Sequence, residues 1–472
     1  MTIVAPDPSA ATRSARTPWR VLFLMQRPES WLNVHGIWRE MRRDPRFEPV
    51  VWIIASAGDH AERKALRARC LETLAQHGID SVQNDRDADP VLPVNEFAAA
   101  IFNAPYDRER AEAFHFDRVA ASVGATIYVP YGLVMGAGWK NQRFQYAQAT
   151  QIGADMIVAR SSFERDLYAR HCPAGSQHVV VTGLPRLDEL YDLETFEVDS
   201  TLEAQIDGRF AILWNSHFSF GMRQARDANY STFDTMARAF FAFAKERPDV
   251  ALIWRPHPAL FRSLVDEGIF RPDELDAFRA EVLAAGVILD QRPDHRHAFA
   301  ASSMLMTDLG SFLVEYLATG RPIVYLENPE GEGLNDEGRA LIQYIDVART
   351  PEHALHLATA YAAGNDPKAP MRAVARDRFL PMLDGRASRR VVDAIAAKLA
   401  PDGDCRSAIG SSSLIDRMTD HLDRIAAQKR SWSGDRKALS RALDHVRRHL
   451  VEAVKQRPGL LRIVQKLRSK KH

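Results

Sequence analysis

From Arg20 onward, short apolar runs rich in Val, Ile and Leu alternate with longer stretches whose apolar positions recur every three or four residues. That alternation predicts βα units around a parallel sheet. Strands are expected at Arg20–Met25, Pro49–Ala55, Thr126–Val129, Met156–Ala159 and His178–Thr182, with helices at Val34–Arg43 and His60–His77. A polar, acidic stretch from Asp188 to Asp207 reads as a linker. A second series follows, with strands at Phe210–Trp214, Ala251–Arg255, Val287–Leu289, Met304–Thr307 and Ile323–Leu326. Its helices are expected at Phe233–Glu246, Asp273–Ala285, Ser311–Thr319 and Ala387–Leu399. The pattern predicts an α/β protein of two doubly wound, Rossmann-like domains, residues 20–198 and 199–400. In such sheets ligands lie in the crevice outside the carboxyl ends of the strands.

Outside this body, residues 1–19 hold little that can be buried and are expected to be a disordered leader. Residues 401–472 read as a basic, helical tail. Leu439, Leu443, Val446, Leu450 and Val454 recur at helical spacing between arginines and lysines, and Leu460, Ile463, Val464 and Leu467 continue the stripe. The whole chain of 472 residues has a net charge of only +1. Fifteen basic and four acidic side chains fall between 421 and 472, so that segment is near +11 and the remainder near −10. An amphipathic basic helix suits an anionic membrane surface. A nucleic-acid arm would explain the charge without the stripe, so no nucleic-acid partner is expected; a coiled coil, or packing against the body, is the alternative. No apolar run approaches membrane-spanning length. Cys70, Cys172 and Cys405 fit neither a zinc nor a redox spacing. A cytoplasmic protein, peripheral at the inner face of the plasma membrane, is expected, with no metal and no cofactor.

The chemistry-bearing residues sit where strands end. After Met304–Thr307 come Asp308, Gly310 and Ser311 at a helix start, where free N–H groups attract anions; capping by Asp308 and Ser311 is the structural alternative. Glu315, one turn on, would face a ribose hydroxyl pair. Arg255-Pro256-His257-Pro258 follows another strand and holds an imidazole rigidly beside a guanidinium, which suits a diphosphate. Asn215 and His217 follow the first strand of the second domain and would line the same donor pocket, or else form an ordinary capped loop.

Four segments, in order, resemble the CDP-glycerol glycerophosphotransferase family: Thr182-Gly-Leu-Pro185-Arg186-Leu-Asp188, Arg255-Pro-His257-Pro, Thr307-Asp308-Leu-Gly-Ser311 with Arg321-Pro322-Ile-Val-Tyr325, and Asp384-Gly-Arg-Ala-Ser388-Arg-Arg. The resemblance implies a glycosyltransferase-B-like architecture and transfer of a glycerol phosphate, polyol phosphate or sugar. The donor would be CDP- or UDP-linked, and the acceptor a teichoic-acid-like or lipid-linked polymer. It implies that His257 assists at the donor diphosphate and that Asp308, Gly310 and Ser311 form the phosphate-binding turn. Where that family shows Trp-His-Gly, this chain has Pro130-Tyr131-Gly132. A tyrosine, with a pKa of about 10, is a poor general base. His35, after the first strand, is the candidate substitute, against its reading as a surface-helix residue. Ser311, Glu315, Gly320 and Pro322 also resemble UDP-N-acetylglucosamine 2-epimerases, a second reading. A non-catalytic nucleotide-binding protein is the third.

Overall fold

The computed structural model describes residues 17–54, 60–79, 92–219 and 229–400. Two six-stranded sheets, parallel throughout, form the body. The first has the order β2-β1-β3-β4-β5-β6, from β1 (Trp19–Met25), β2 (Phe47–Ile53), β3 (Ala99–Phe102), β4 (Ala125–Tyr128), β5 (Met156–Ala159) and β6 (Val179–Val181). The second has the order β12-β11-β10-β7-β8-β9, from β7 (Phe210–Asn215), β8 (Val250–Trp254), β9 (Ile288–Leu289), β10 (Met304–Thr307), β11 (Ile323–Leu326) and β12 (Asp346–Ala348). The strands are near-continuous apolar runs because helices cover both faces. In β1, Val21, Phe23 and Met25 enter one core while Leu22 and Leu24 enter another.

Several expectations change. β1 begins at Trp19, whose ring packs on Phe47 at 5.5 Å, so the leader expected over 1–19 ends earlier. β3 was not expected: Ala-Ala-Ile-Phe is short and carries two alanines, which favour strands weakly. β12 is a three-residue edge strand opened by an aspartate, equally faint in sequence. The stretch expected as a linker holds a 3-10 turn at Leu193–Thr195 and a helix at Ser200–Ile206. Leu190, Leu193, Leu202 and Ile206 are buried there in one apolar cluster that continues from the first sheet to the second. The single helix expected over Ser311–Thr319 is a four-residue α-helix, Phe312–Glu315, then a 3-10 turn, Tyr316–Thr319, closed by Gly320 at φ 69°. The tail and residues 1–16 lie outside the described residues. Among those described, no helix is long and apolar enough to cross a membrane.

Two of the quoted segments turn out to hold each other. Asp188 accepts the N–H of Ala387 at 2.9 Å and of Ser388 at 2.6 Å, so the first half caps the start of the last helix, Ala387–Leu399. Arg390 donates to the Thr182 carbonyl at 2.6 Å and pairs with Asp384 at 2.8 Å. A side chain on Gly183, already at φ 79°, would press on Ala387 at 3.1 Å. The helix therefore returns to pack on His35–Arg43 of the first half. Asp188→Ala leaves two helix-start N–H groups without their partner. Urea unfolding should show a loss of about 1–3 kcal/mol, with Asp188→Asn losing less.

Candidate active site

β7, β8 and β10 are neighbours, so the loops leaving their carboxyl ends converge. They bring the His217 and His257 rings to 5.4 Å between centroids, with Phe218 4.5 Å from each. Each imidazole is oriented by its own loop. Nδ1 of His257 accepts the Ala259 N–H at 3.1 Å, and Nδ1 of His217 accepts the Ser219 N–H at 3.1 Å and the Ser219 hydroxyl at 2.8 Å. An imidazole nitrogen that accepts an N–H carries no proton, so each neutral ring holds its proton on Nε2. Burial, then the Arg27 guanidinium, pushes His257 down to about 4; burial and then His257 push His217 well below the usual histidine range. Both rings are neutral donors at pH 7.

Asp308, 1% exposed, clamps this arrangement from behind. One carboxylate oxygen accepts the His217 N–H at 2.8 Å, and the other the Thr232 hydroxyl at 2.5 Å. Burial raises it to about 7 despite those bonds. Asn215 donates to the Arg255 carbonyl at 2.8 Å and accepts from Thr307 at 3.3 Å, tying three strand ends together. Arg255 does not present a free guanidinium: it pairs with Asp290 at 2.5 Å and donates to the Arg292 carbonyl at 2.6 Å. Ser311 makes no side-chain cap to its helix, and the space over Gly310 is open. Histidines and the Gly310–Ser311 turn thus meet the cleft, while Asp308, Asn215 and Arg255 set their positions.

Glu315 is fully buried. It pairs with Arg186 of the first half at 2.9 Å and lies 3.3 Å from His295. Burial pushes its carboxyl up, but Arg186, His295 and Ser311 together hold it at about 2. It links the second half to Arg186 of the first. Arg186 also donates to the Tyr131 carbonyl. The Tyr131 hydroxyl bonds that of Tyr106 at 2.9 Å, and burial raises its pKa further, so it is no base at neutral pH. His35 sits apart, with Nδ1 3.3 Å from Glu189 and its ring 4.3 Å from His77. Thr232 and His295 carried no signal in the sequence, and Arg186 stood there only within a motif segment. Arg186 and His295 lie far along the chain from Glu315, and only the fold reveals such pairings. Among the described residues, no group of three or more His, Cys, Asp or Glu side chains is gathered as for a metal ion.

Three solved structures illustrate the architecture. An S. aureus MnaA–UDP co-structure has 13% identity and a TM-score of 0.53, covering 82% of this chain and 98% of that one. A UDP-GlcNAc 2-epimerase from Neisseria meningitidis bound to UDP-GlcNAc has 14% identity and a TM-score of 0.52, covering 80% and 99%. A variant of the wall teichoic acid polymerase TagF soaked with CDPG has 11% identity and a TM-score of 0.51, covering 81% and 88%. At these identities the likeness is one of fold, glycosyltransferase-B-like as expected. No curated protein sequence matches the chain. The family of CDP-glycerol:poly(glycerophosphate) glycerophosphotransferases matches residues 135–397, more than half of the sequence and all of the histidine cleft. The chain belongs to that family of enzymes.

Proposed function

We propose that this enzyme transfers glycerol phosphate, or a related polyol phosphate, from a CDP-linked donor to a hydroxyl of a teichoic-acid-like polymer. The observation that carries this reading is the pair of neutral imidazoles, His217 and His257, each with its Nε2 proton directed away from its own loop. In such a transfer the acceptor oxygen bonds to the distal phosphorus of the donor and the bond to the bridging oxygen breaks. Negative charge then gathers on the departing nucleotide phosphate. Fixed N–H donors aimed at that charge stabilise the transition state without reorganising. His257 and His217 supply two donors, and the open turn at Gly310–Ser311 takes the phosphate's remaining oxygens. The family assignment and the CDPG soak of the TagF variant support a CDP-linked donor over a UDP-linked one.

Loss of one such donor costs a hundredfold or so in rate. His257→Ala should therefore lower CMP release from CDP-glycerol in the presence of polymer by about that factor, with cooperative unfolding retained. Unchanged turnover removes His257 from the mechanism. Interconversion of UDP-sugars by the wild-type enzyme without any acceptor contradicts the transferase reading and supports the epimerase one.

The reading extends to the membrane. The basic, striped segment 421–472 would hold the enzyme against anionic lipid, close to a lipid-linked acceptor. Full-length protein should co-float with vesicles containing anionic lipid and not with purely neutral ones, and the binding should weaken as salt screens the charge. Equal flotation with both, or with neither, contradicts the electrostatic anchor.

A further inference from the structure

The transfer proposed above frees one proton from the attacking hydroxyl, and neither cleft imidazole can take it. Both hold a proton on Nε2, and both Nδ1 atoms are occupied by backbone N–H groups. Asp308 and Glu315 are buried away from solvent, Asp308 accepting the Thr232 hydroxyl and the His217 N–H, and Glu315 pairing with Arg186 beside His295. Tyr131, its pKa raised further above neutral, stays protonated, and His35 belongs to the separate cluster with His77 and Glu189.

Among the described residues, Glu109 is a carboxylate set on a pinned turn at the carboxyl edge of the first sheet. In the first sheet β1, β3 and β4 are adjacent, so the loops leaving them, which begin at Gln26, Asn103 and Val129, lie side by side at the carboxyl edge. The loop from β3 makes a 3-10 turn at Asp107–Glu109. Gln26 pins that turn by donating to the Glu109 carbonyl at 2.9 Å, and Arg110 pins it through Asp107 at 2.9 Å and Thr150 at 3.2 Å. The Glu109 side chain is 28% exposed, so solvent or a substrate can reach it. Its Oε2 takes Arg27 at 3.1 Å, whereas its Oε1 has Arg108 at 3.8 Å, beyond hydrogen-bond length. Arg27 also acts electrostatically on His257 across the cleft, and Glu109 on Tyr131. Oε2 is thus held by Arg27 while Oε1 makes no hydrogen bond among the described residues, with Arg108 3.8 Å away, on a turn at the carboxyl edge of the first sheet.

We propose that Glu109 is the general base, accepting the acceptor hydroxyl proton on Oε1 as the oxygen–phosphorus bond forms. The inference rests on the transferase reading. The O–H bond of the acceptor breaks toward Glu109, its electron pair makes the new bond to phosphorus, and the bond to the bridging oxygen breaks with its electrons passing to CMP. Glu109 then releases the proton to water. A carboxylate suffices for this task, because the hydroxyl becomes strongly acidic only as it attacks; protein kinases use an aspartate in the same way. Arg27 holds Oε2 of Glu109 at 3.1 Å. The groups that face it are Arg27, Arg108, Arg110, Tyr106 and Tyr131.

The test compares full-length wild type with Glu109→Gln, Glu109→Asp and Glu109→Ala in acceptor-dependent CMP release, alongside CDP-glycerol binding measured by thermal shift. Glu109→Gln should lower kcat by about a hundredfold or more. It should leave KM and the donor-induced thermal shift in place. Added formate should partly rescue Glu109→Ala, and Glu109→Asp should keep more activity than Glu109→Gln. Wild-type-like turnover in Glu109→Gln, or loss of the donor-induced shift together with turnover, overturns the assignment. A wild-type enzyme that binds no CDP-glycerol and releases no CMP fails earlier, at the transferase reading, and takes this inference down with it.

Discussion

The geometry of the cleft depends on charges buried between the two halves. Arg186 on Glu315, Arg160 on Glu337 and Arg296 on Glu189 each join a side chain of the first half, or of the segment leading out of it, to one of the second. A buried ion pair adds little net stability, since desolvation offsets its attraction. Removing one partner nevertheless costs about 3–5 kcal/mol, because the other charge is left stranded. Such pairs therefore tolerate only one placement of the halves. Backbone bonds reinforce it: Ala137 donates to the Gly333 carbonyl at 2.9 Å and Asn335 to the Met135 carbonyl at 2.8 Å. Tyr230, edge-on to His217, donates to the Ala137 carbonyl at 3.1 Å, so the contacts that join the halves also reach the His217 loop.

Within that frame the chemistry divides between the two sheets. The second sheet supplies neutral N–H donors whose tautomers are dictated by backbone N–H groups, an arrangement suited to an anion and unsuited to accepting a proton at Nε2. The first sheet supplies a carboxylate held by an arginine. Buried carboxylates elsewhere serve position: Asp308 organises the β7 loop, Asp188 starts the last helix, and Glu315 ties the domains.

Much of this was legible in the sequence, and the boundary has a physical cause. Strong local signals fixed local structure: Phe233–Glu246, Ala387–Leu399, Met156–Ala159, Met304–Thr307 and Ile323–Leu326 all match their expected bounds. The placement of His217 and His257 after strands followed from topology alone, since βα loops of one parallel sheet share an edge. The partners of Arg255, Glu315 and Asp308 were not legible for a common reason. A charged residue beside a strand end looks free in one dimension, and its partner, Asp290, Arg186 or Thr232, lies tens of residues away. The motif segments around Asp188 and Ser388, far apart in the chain, hold each other.

The central claim is that His257 enters catalysis as a neutral Nε2–H donor, and 15N NMR of the histidine-labelled full-length enzyme reads that state directly. The His257 ring should show a protonated Nε2 and an unprotonated Nδ1 from pH 8 down to about 5, with cation formation only near pH 4. A His257 that is cationic at pH 7, or that carries its proton on Nδ1, would contradict it.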